Sequence, residues 1–165
     1  MKYNIVVATC KNNGIGISNT IPWWSKEDLQ HFSLITKGKG NNVVVMGRKT
    51  WESIPTNKKP LIGRDNIIIS SSYDCPKCTV LHSFHETIAH LSSKVYDECW
   101  IIGGESIYNM FMNEGIVSQI IVTRINESHE CDIFFPKIPE NYILEKSESL
   151  NGTAHCIEYY TISSS

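Results

Sequence analysis

One carboxylate in the first third of the chain, Asp28, has a setting suited to acid–base chemistry. Residues 25–28 (Ser-Lys-Glu-Asp) resemble a capping box, which predicts a helix that begins there. Asp28 and Phe32 are four residues apart and share a helix face with Leu29, so we expect this face to be apolar and covered. A carboxylate held there loses water, which raises its pKa toward the range useful for proton transfer. The alternative is that Asp28 only stabilises the positive end of the helix dipole.

Two other segments each combine an apolar strand, a glycine and the start of a helix, at residues 45–51 and 101–108. The N–H groups at a helix start bind anions, and Arg48 and Lys49 add charge that the dipole disfavours there, which favours a phosphate site. Two such corners indicate a dinucleotide across the carboxyl edge of a sheet. Neither corner has the G-x-G-x-x-G pattern of an ordinary Rossmann domain. Tyr108 either faces the same crevice or is a core residue.

Two further groups are weaker signals. Gly14-Ile15-Gly16 follows an apolar run, where glycines allow a backbone to approach a ligand closely, although a surface turn explains a lone pair of glycines as well. Arg64 stands at the mouth of another apolar run and could bind a substrate carboxylate in bidentate fashion. The alternative for Arg64 is an ion pair with a nearby acid such as Asp65.

The six cysteines are too few for a disulfide scaffold in a chain of 165 residues, so we expect reduced thiols and a cytoplasmic protein. Cys75, Cys78, His82 and His85 form a C-x2-C-x3-H-x2-H pattern, which has partial zinc-ligand spacing. The three residues between the pairs are too few for a zinc finger and predict a strand. We therefore expect no metal here, but a loop with two unpaired thiols.

Short apolar runs without alternation predict strands that are covered on both faces, as in a mostly parallel sheet; they span residues 5–8, 43–46, 67–69, 100–102 and 120–122. Helices are predicted between them, starting at the capping boxes 25–28 and 83–86 and over residues 50–54 and 106–112. Residues 142–150 and 153–162, joined at Asn151-Gly152, predict an antiparallel hairpin. The prediction is a single α/β domain over residues 1–162, with a mostly parallel central sheet flanked by helices, an antiparallel C-terminal hairpin and a frayed tail at 163–165.

The formal net charge of −2 hides an uneven distribution. Residues 1–64 carry ten Lys and Arg against three acids, or +7, and residues 65–165 carry −9. The cations are scattered without interleaved exposed aromatic residues, which argues against a nucleic-acid partner and fits small anionic ligands. The longest apolar runs have four or five residues, far below the roughly 20 of a membrane helix.

Taken in order along the chain, these segments resemble the dihydrofolate reductase family. The matching stretches are residues 8–16, 21–23 with Asp28 and Phe32, 45–51, 60–64, 102–104 with Tyr108, Thr123, and 132–136 (Asp-Ile-Phe-Phe-Pro). The resemblance implies NADPH-dependent reduction of 7,8-dihydrofolate to 5,6,7,8-tetrahydrofolate, by hydride transfer to C6 and protonation at N5, in support of one-carbon metabolism and thymidylate synthesis. We expect a cytoplasmic enzyme and a monomer that binds antifolate inhibitors but neither nucleic acid nor membrane.

The resemblance assigns roles to individual residues. Asp28, with Thr123 behind it, would bind the pterin and promote N5 protonation through the pterin or a water near Trp23, and Tyr108 would join them as a catalytic residue. Arg64 would bind the substrate's α-carboxylate. The remaining substrate-binding residues implied are Val6, Leu29, Phe32, Ile54, Leu61 and Ile102. The cofactor-binding residues implied are Ala8, Ile15, Gly16, Gly47, Arg48, Lys49, Thr50, Ser70, Ser71, Gly103, Gly104, Glu105, Ser106 and Ile107.

Within this assignment, Arg48 would bind the 2′-phosphate of NADPH, and Gly103-Gly104 would carry a cis peptide. The loop of residues 14–23 would close over the active site. The chain departs from the family pattern at Ser71, where some members carry a cation, at Glu105, which must point away from a pyrophosphate, and at Asp65, which could compete for Arg64. The nearest alternative is a reductase of the same fold that acts on a ribosylated pyrimidine and needs neither Asp28 nor Arg64.

Overall fold

A computed structural model describes residues 1–17, 21, 23, 25–150 and 155–163. Its main sheet has eight strands in the order β5-β4-β3-β6-β1-β7-β10-β9. These strands are β1 (Lys2–Thr9), β3 (Asn42–Gly47), β4 (Arg64–Ile69), β5 (Thr79–Leu81), β6 (Glu98–Gly103), β7 (Val117–Arg124), β9 (Tyr142–Ser149) and β10 (Cys156–Ile162). The first six strands in this spatial order are parallel to one another. Strand β10 runs antiparallel to β7, and β9 runs antiparallel to β10. The predicted sheet and C-terminal hairpin are confirmed.

In the part of the chain that the structure describes, four α-helices connect the strands. They are α1 (Lys26–Lys37), α2 (Arg48–Ser53), α3 (Phe84–Ser92) and α4 (Glu105–Asn113), and a 3₁₀ turn spans Thr56–Lys58. The two predicted caps are present, because the hydroxyls of Ser25 and Ser83 accept from the N–H groups of Asp28 and Glu86. Helix α2 begins two residues before the predicted position, directly after Gly47, because the strand passes into the helix without a loop.

Both faces of the sheet are covered, as the continuous apolar runs predict. One face packs Trp51 of α2 and Phe32 of α1 against Val44 and Ile68. The other face packs Leu91 of α3 and Phe111 of α4 against the opposite side of the same strands. The alternating side chains of each strand therefore enter two separate cores. Within the described residues, no helix is long and apolar enough to cross a membrane.

A second, two-stranded sheet was not predicted. It pairs β2 (Gly14–Gly16) with β8 (Ile133–Phe134) in antiparallel fashion. Three and two residues are too short for a periodic sequence signal. This small sheet ties the segment that follows β1 to the segment that follows β7.

Cys75 and Cys78 form a disulfide bond, so the expectation of two unpaired thiols is wrong. Their spacing of three allows it, since the Cα atoms are 5.3 Å apart. Ser163, the first residue of the predicted tail, donates its N–H to the carbonyl of Asn141. Some predicted features lie outside the described residues. They are the rest of the tail (Ser164 and Ser165), the turn at Asn151-Gly152, and residues 18–20, 22 and 24 of or beside the predicted loop.

Candidate functional site

The candidate site lies where the parallel strands end. Ala8 of β1 is level with Thr123 of β7, and Met46 of β3 is level with Gly103 of β6. The residues that the sequence singled out on four different strands therefore meet at one edge of the sheet. Open α/β sheets bind ligands at this carboxyl edge.

Asp28 faces this edge from the first turn of α1, where the side chain is half-buried. Burial raises the pKa of its carboxyl group, and a hydrogen bond from the Thr123 hydroxyl and the charges of His31 and His155 oppose that rise without cancelling it. The expected burial of this face therefore holds at Asp28 but not at Leu29, which is 49% exposed. The result is a carboxyl group that keeps its proton to a higher pH than an ordinary aspartate.

Tyr108 of α4 lies close to the same site from the other face of the sheet. It is buried, and its hydroxyl donates to the carbonyl of Val6 at 3.0 Å. Burial and the nearby charge of Asp28 both raise its pKa, so it stays a neutral hydrogen-bond donor. Tyr108 is therefore a core residue, as the second of the two sequence-based alternatives states, and its hydroxyl is bonded to β1.

A partly open apolar wall adjoins Asp28. The side chains of Phe32, Ile54, Leu61 and Ile102 are half-buried, and all four pack against the core that contains Val6. Half-buried apolar side chains beside one polar group are typical of a small-molecule pocket.

Arg64, at the start of β4, is directed toward α1. Its Nη1 donates to the Thr36 hydroxyl at 2.9 Å, its Nε donates to the Ile62 carbonyl at 3.0 Å, and its guanidinium lies 6.0 Å from the centre of the Phe32 ring. Burial lowers its pKa, although an arginine stays charged. The predicted ion pair with Asp65 is not formed, since Asp65 instead accepts from the Tyr96 hydroxyl.

The first strand–glycine–helix corner presents two exposed cations, Arg48 and Lys49. Arg48 donates to Glu52 at 2.8 Å, and its guanidinium lies 4.6 Å from the centre of the Tyr73 ring. The two partners of this ion pair are 46% and 52% exposed, so an incoming phosphate can compete for Arg48. Ser70 and Ser71 follow the neighbouring strand β4, where Ser71 is exposed and the Ser70 hydroxyl accepts from the N–H of Tyr73.

The second corner is closely packed. The Gly103–Gly104 peptide is cis, as the resemblance implied. A Cβ atom at Gly103 would lie 3.2 Å from the Tyr108 hydroxyl and 3.4 Å from Thr50 Oγ1, and one at Gly47 would lie 3.1 Å from Ile107. Gly47 of the first corner therefore packs against Ile107 of the second. Gly103 of the second corner packs against Thr50 of the first and against the Tyr108 hydroxyl.

Helix α4 begins at this corner with free backbone donors. Its internal hydrogen bonds begin at the N–H groups of Ile107 and Tyr108, so those of Glu105 and Ser106 have no partner inside the helix. The Glu105 carboxylate accepts from the N–H of Phe134 at 3.3 Å, which turns it toward β8 and away from the corner.

The loop after β1 contributes Ile15 and Gly16, which are half-buried and buried. Its first glycine does not serve a ligand, because a Cβ at Gly14 would lie 2.3 Å from the Sγ atom of Cys131. Trp23 is half-buried, and its ring centre lies 5.7 Å from that of His129.

Three residues near the site were not singled out from the sequence. His31 and His155 act on Asp28 through their charge, and Thr36 holds Arg64. His31 and Thr36 lie three and eight residues after Asp28, so helical spacing could have placed them on the same side of α1. His155 comes from the strand end beside β7 and carried no local signal.

Comparison with known proteins agrees with this geometry. The family model described as dihydrofolate reductase matches residues 2–163. The dihydrofolate reductase of Drosophila melanogaster is 36% identical over 151 residues, which cover 86% of this chain and 83% of that protein. The dihydrofolate reductase of Aedes albopictus is 35% identical, and the match covers 89% of this chain and 86% of that protein. The dihydrofolate reductase of Schistosoma mansoni is 38% identical, and the match covers 84% of this chain and 80% of that protein.

Proposed function

The chain belongs to the dihydrofolate reductase family, and from that premise we propose that it reduces 7,8-dihydrofolate to 5,6,7,8-tetrahydrofolate with NADPH. The observation that supports this most directly is the Asp28 carboxyl group, half-buried at the sheet edge, hydrogen-bonded by Thr123 and raised in pKa. A dihydropterin requires a hydrogen-bond acceptor and a proton donor, and a carboxyl group whose pKa is raised by burial can serve as both. The product would serve one-carbon metabolism, including thymidylate synthesis.

The positions of the chain's own residues support the following roles. Asp28 binds the 2-amino group and N3 of the pterin and promotes protonation at N5, directly through the ring or through a water near Trp23. Thr123 orients the carboxylate, while Tyr108 fixes the Val6 carbonyl that faces the ring. The apolar side chains of Phe32, Ile54 and Leu61, with Leu29, pack on the rings and exclude water. Arg64 binds the α-carboxylate of the substrate's glutamate.

The two corners fit a phosphate-rich cofactor. Gly104 is open on its outer side, since a Cβ there would meet only Thr50 Oγ1 at 3.7 Å, and the free N–H groups of Glu105 and Ser106 lie beside it. Gly47, Lys49, Thr50, Gly103 and Ile107 complete that wall, while Arg48, with Ser70 and Ser71 nearby, would hold the 2′-phosphate. Ala8, Ile15 and Gly16 would bind the nicotinamide amide. NADPH, when bound, supplies the hydride that reduces C6.

The direct test mixes the purified chain with NADPH and 7,8-dihydrofolate and follows NADPH absorbance, with tetrahydrofolate identified by chromatography. We expect NADPH loss that requires dihydrofolate and matches tetrahydrofolate formed in equal amount. A folded protein that consumes no NADPH, or that consumes it without forming tetrahydrofolate, contradicts the proposal.

Arg48→Ala tests the 2′-phosphate assignment. We expect KM for NADPH to rise by about 10- to 100-fold, the value of one or two charge-assisted hydrogen bonds, while KM for NADH changes little. Glu52→Gln should lower KM for NADPH, because it releases Arg48 from its ion pair. Lys58→Ala removes an exposed cation outside the site and serves as the control. Equal losses for NADPH and NADH would refute the assignment.

Arg64→Ala tests the carboxylate assignment. We expect KM for dihydrofolate to rise by about 10- to 100-fold, with no matching change for a dihydropterin that lacks the aminobenzoylglutamate tail. Arg64→Lys keeps the charge but not the bidentate geometry, so it should recover only part of the loss. The melting temperature reports any effect of losing the bond to Thr36. A loss of the same size for the tailless substrate would contradict the role.

A further inference from the structure

A thiol pair beside the small sheet lies outside the proposed chemistry. The Sγ atoms of Cys10 and Cys131 are 3.8 Å apart, although the residues are 121 positions apart in the sequence. Cys10 directly follows β1 and is 2% exposed, whereas Cys131 precedes β8 and is half-buried.

The other free thiols of the described residues lie in different surroundings. Cys99 is fully buried in the core, where burial raises its pKa and makes it unreactive, and Cys156 shares a cavity of about 300 Å³ with Cys10.

The packing holds the two sulfurs in place. Cys131 occupies the space that a side chain at position 14 would fill, since a Cβ there would be 2.3 Å from its sulfur. The Asn12 side chain donates to the His129 carbonyl at 3.1 Å, and the Lys11 N–H donates to Glu127 at 2.9 Å. The segments that carry the two thiols are therefore fixed against each other before any bond forms between them.

We propose that Cys10 and Cys131 are a modification site that takes up a reversible intramolecular disulfide on reaction with a low-molecular-weight disulfide. The separation of 3.8 Å must shorten to about 2.05 Å, a movement that one side-chain rotation and a small loop shift can provide. Because Gly14 has no side chain, the Cys131 side chain has room for this movement.

The exchange proceeds in two balanced steps. Cys131 attacks first because it is the more exposed thiol, although burial and the contact with Cys10 raise its pKa; its thiolate attacks one sulfur of the oxidant R–S–S–R, forming a mixed disulfide and releasing one R–S⁻. The Cys10 thiolate then attacks the Cys131 sulfur and releases the second R–S⁻, so two electrons pass to the oxidant and the two thiol protons end on the released thiols. Burial alone would raise the pKa of Cys10, but backbone hydrogen bonds with His129, Asn12 and Gly14 lower it, which favours its role as the second nucleophile.

The disulfide would act on the active-site edge through the small sheet. Gly14 and Gly16 pair with Phe134 and Ile133, and the Asp132 N–H donates to the Gly16 carbonyl at 3.0 Å. Pulling Cys131 toward Cys10 therefore displaces the strand that carries Ile15 and Gly16. Since a displacement of 1 Å can cost about 10²-fold in rate, we expect turnover to fall by about ten-fold or more.

The test uses a Cys75→Ser/Cys78→Ser background, which removes the existing disulfide, and oxidised glutathione as the probe. Non-reducing peptide mapping should show the Cys10 and Cys131 peptides linked, and the melting temperature should rise by on the order of 5 °C or more. Turnover should fall as the linked fraction grows, and dithiothreitol should restore it. Formation of the disulfide does not depend on the proposed function, whereas the turnover readout does. If the reduced protein is inactive, the proposed function is refuted, and the peptide map and the melting temperature alone test whether the disulfide forms.

Matched variants make the result specific. Cys131→Ser and Cys131→Ala should remove the link, the rise in melting temperature and the loss of turnover, while Cys156→Ser should behave like the background. A Cys10–Cys156 link, a stable glutathione adduct on Cys131 alone, or a Cys10–Cys131 link with unchanged turnover and melting temperature would each overturn the proposal.

Discussion

Replacing Asp28 with asparagine is expected to lower the turnover of 7,8-dihydrofolate by about 10²- to 10⁴-fold, the contribution typical of a positioned general acid or base. Asparagine keeps an oxygen that can accept from the Thr123 hydroxyl, but it can neither hold a proton nor carry the charge that is proposed to pair with the pterin. The loss should be greatest above neutral pH, because solvent protons replace the missing carboxyl group only in acid. Steady-state rates over a pH series, with both substrates saturating, measure it.

Glu27→Gln is the matched control, since it removes the same charge from the neighbouring residue of the same helix turn. Its turnover should stay within about two-fold of wild type, as expected for a surface change. A turnover rate of Asp28→Asn close to that of Glu27→Gln would refute the proposed role of Asp28.

The stability of the same variant should move in the opposite direction. Because burial raises the pKa of Asp28, the folded protein keeps this proton at pH values where the unfolded chain has released it. The free energy of unfolding therefore falls as pH rises from about 4, the ordinary aspartate value, through the raised pKa. Asparagine does not titrate, so the melting temperature of Asp28→Asn should exceed that of wild type by a margin that grows across this window. A margin that shrinks would mean that the pKa is not raised.

The sequence predicted the parts of the site that lie on periodic elements. The continuous apolar runs are strands buried on both faces, and the corners at Gly47 and Gly103 follow because parallel strands end at one edge. Asp28 was found through the cap at Ser25, which is a local signal. These features depend on neighbouring residues, so a single sequence contains them.

Contacts between distant segments could not be predicted in this way. The pairing of Gly14 with Phe134 and the approach of Cys10 to Cys131 join residues more than 100 positions apart, with no periodic pattern to mark them. The alternative of an Arg64–Asp65 ion pair was left open, although strand geometry alone argues against it. Consecutive residues of a strand point to opposite faces, so Arg64 meets Thr36 while Asp65 meets Tyr96.

Gly103→Ala is expected to have the second large effect. Gly103 has φ of +124°, where an alanine is strained, and the new Cβ would lie 3.2 Å from the Tyr108 hydroxyl. The backbone strain costs about 1–3 kcal/mol, which lowers the melting temperature by about 3–10 °C. The displaced Tyr108 hydroxyl also loosens its bond to Val6 at the proposed pterin side, so turnover should fall by on the order of 10²-fold.

Gly104→Ala is the matched control, because it adds the same methyl group one residue later. Gly104 has φ of −93°, and its Cβ would meet only Thr50 Oγ1, at 3.7 Å, so the melting temperature without ligands should stay close to that of wild type. Since Gly104 is proposed to face the cofactor, Gly104→Ala should still raise KM for NADPH. Stability would then separate the two glycines, with Gly103 required by the fold and Gly104 by the ligand. Equal losses of melting temperature in both variants would show that the corner is crowded on both sides, which contradicts its assignment as an open cofactor wall.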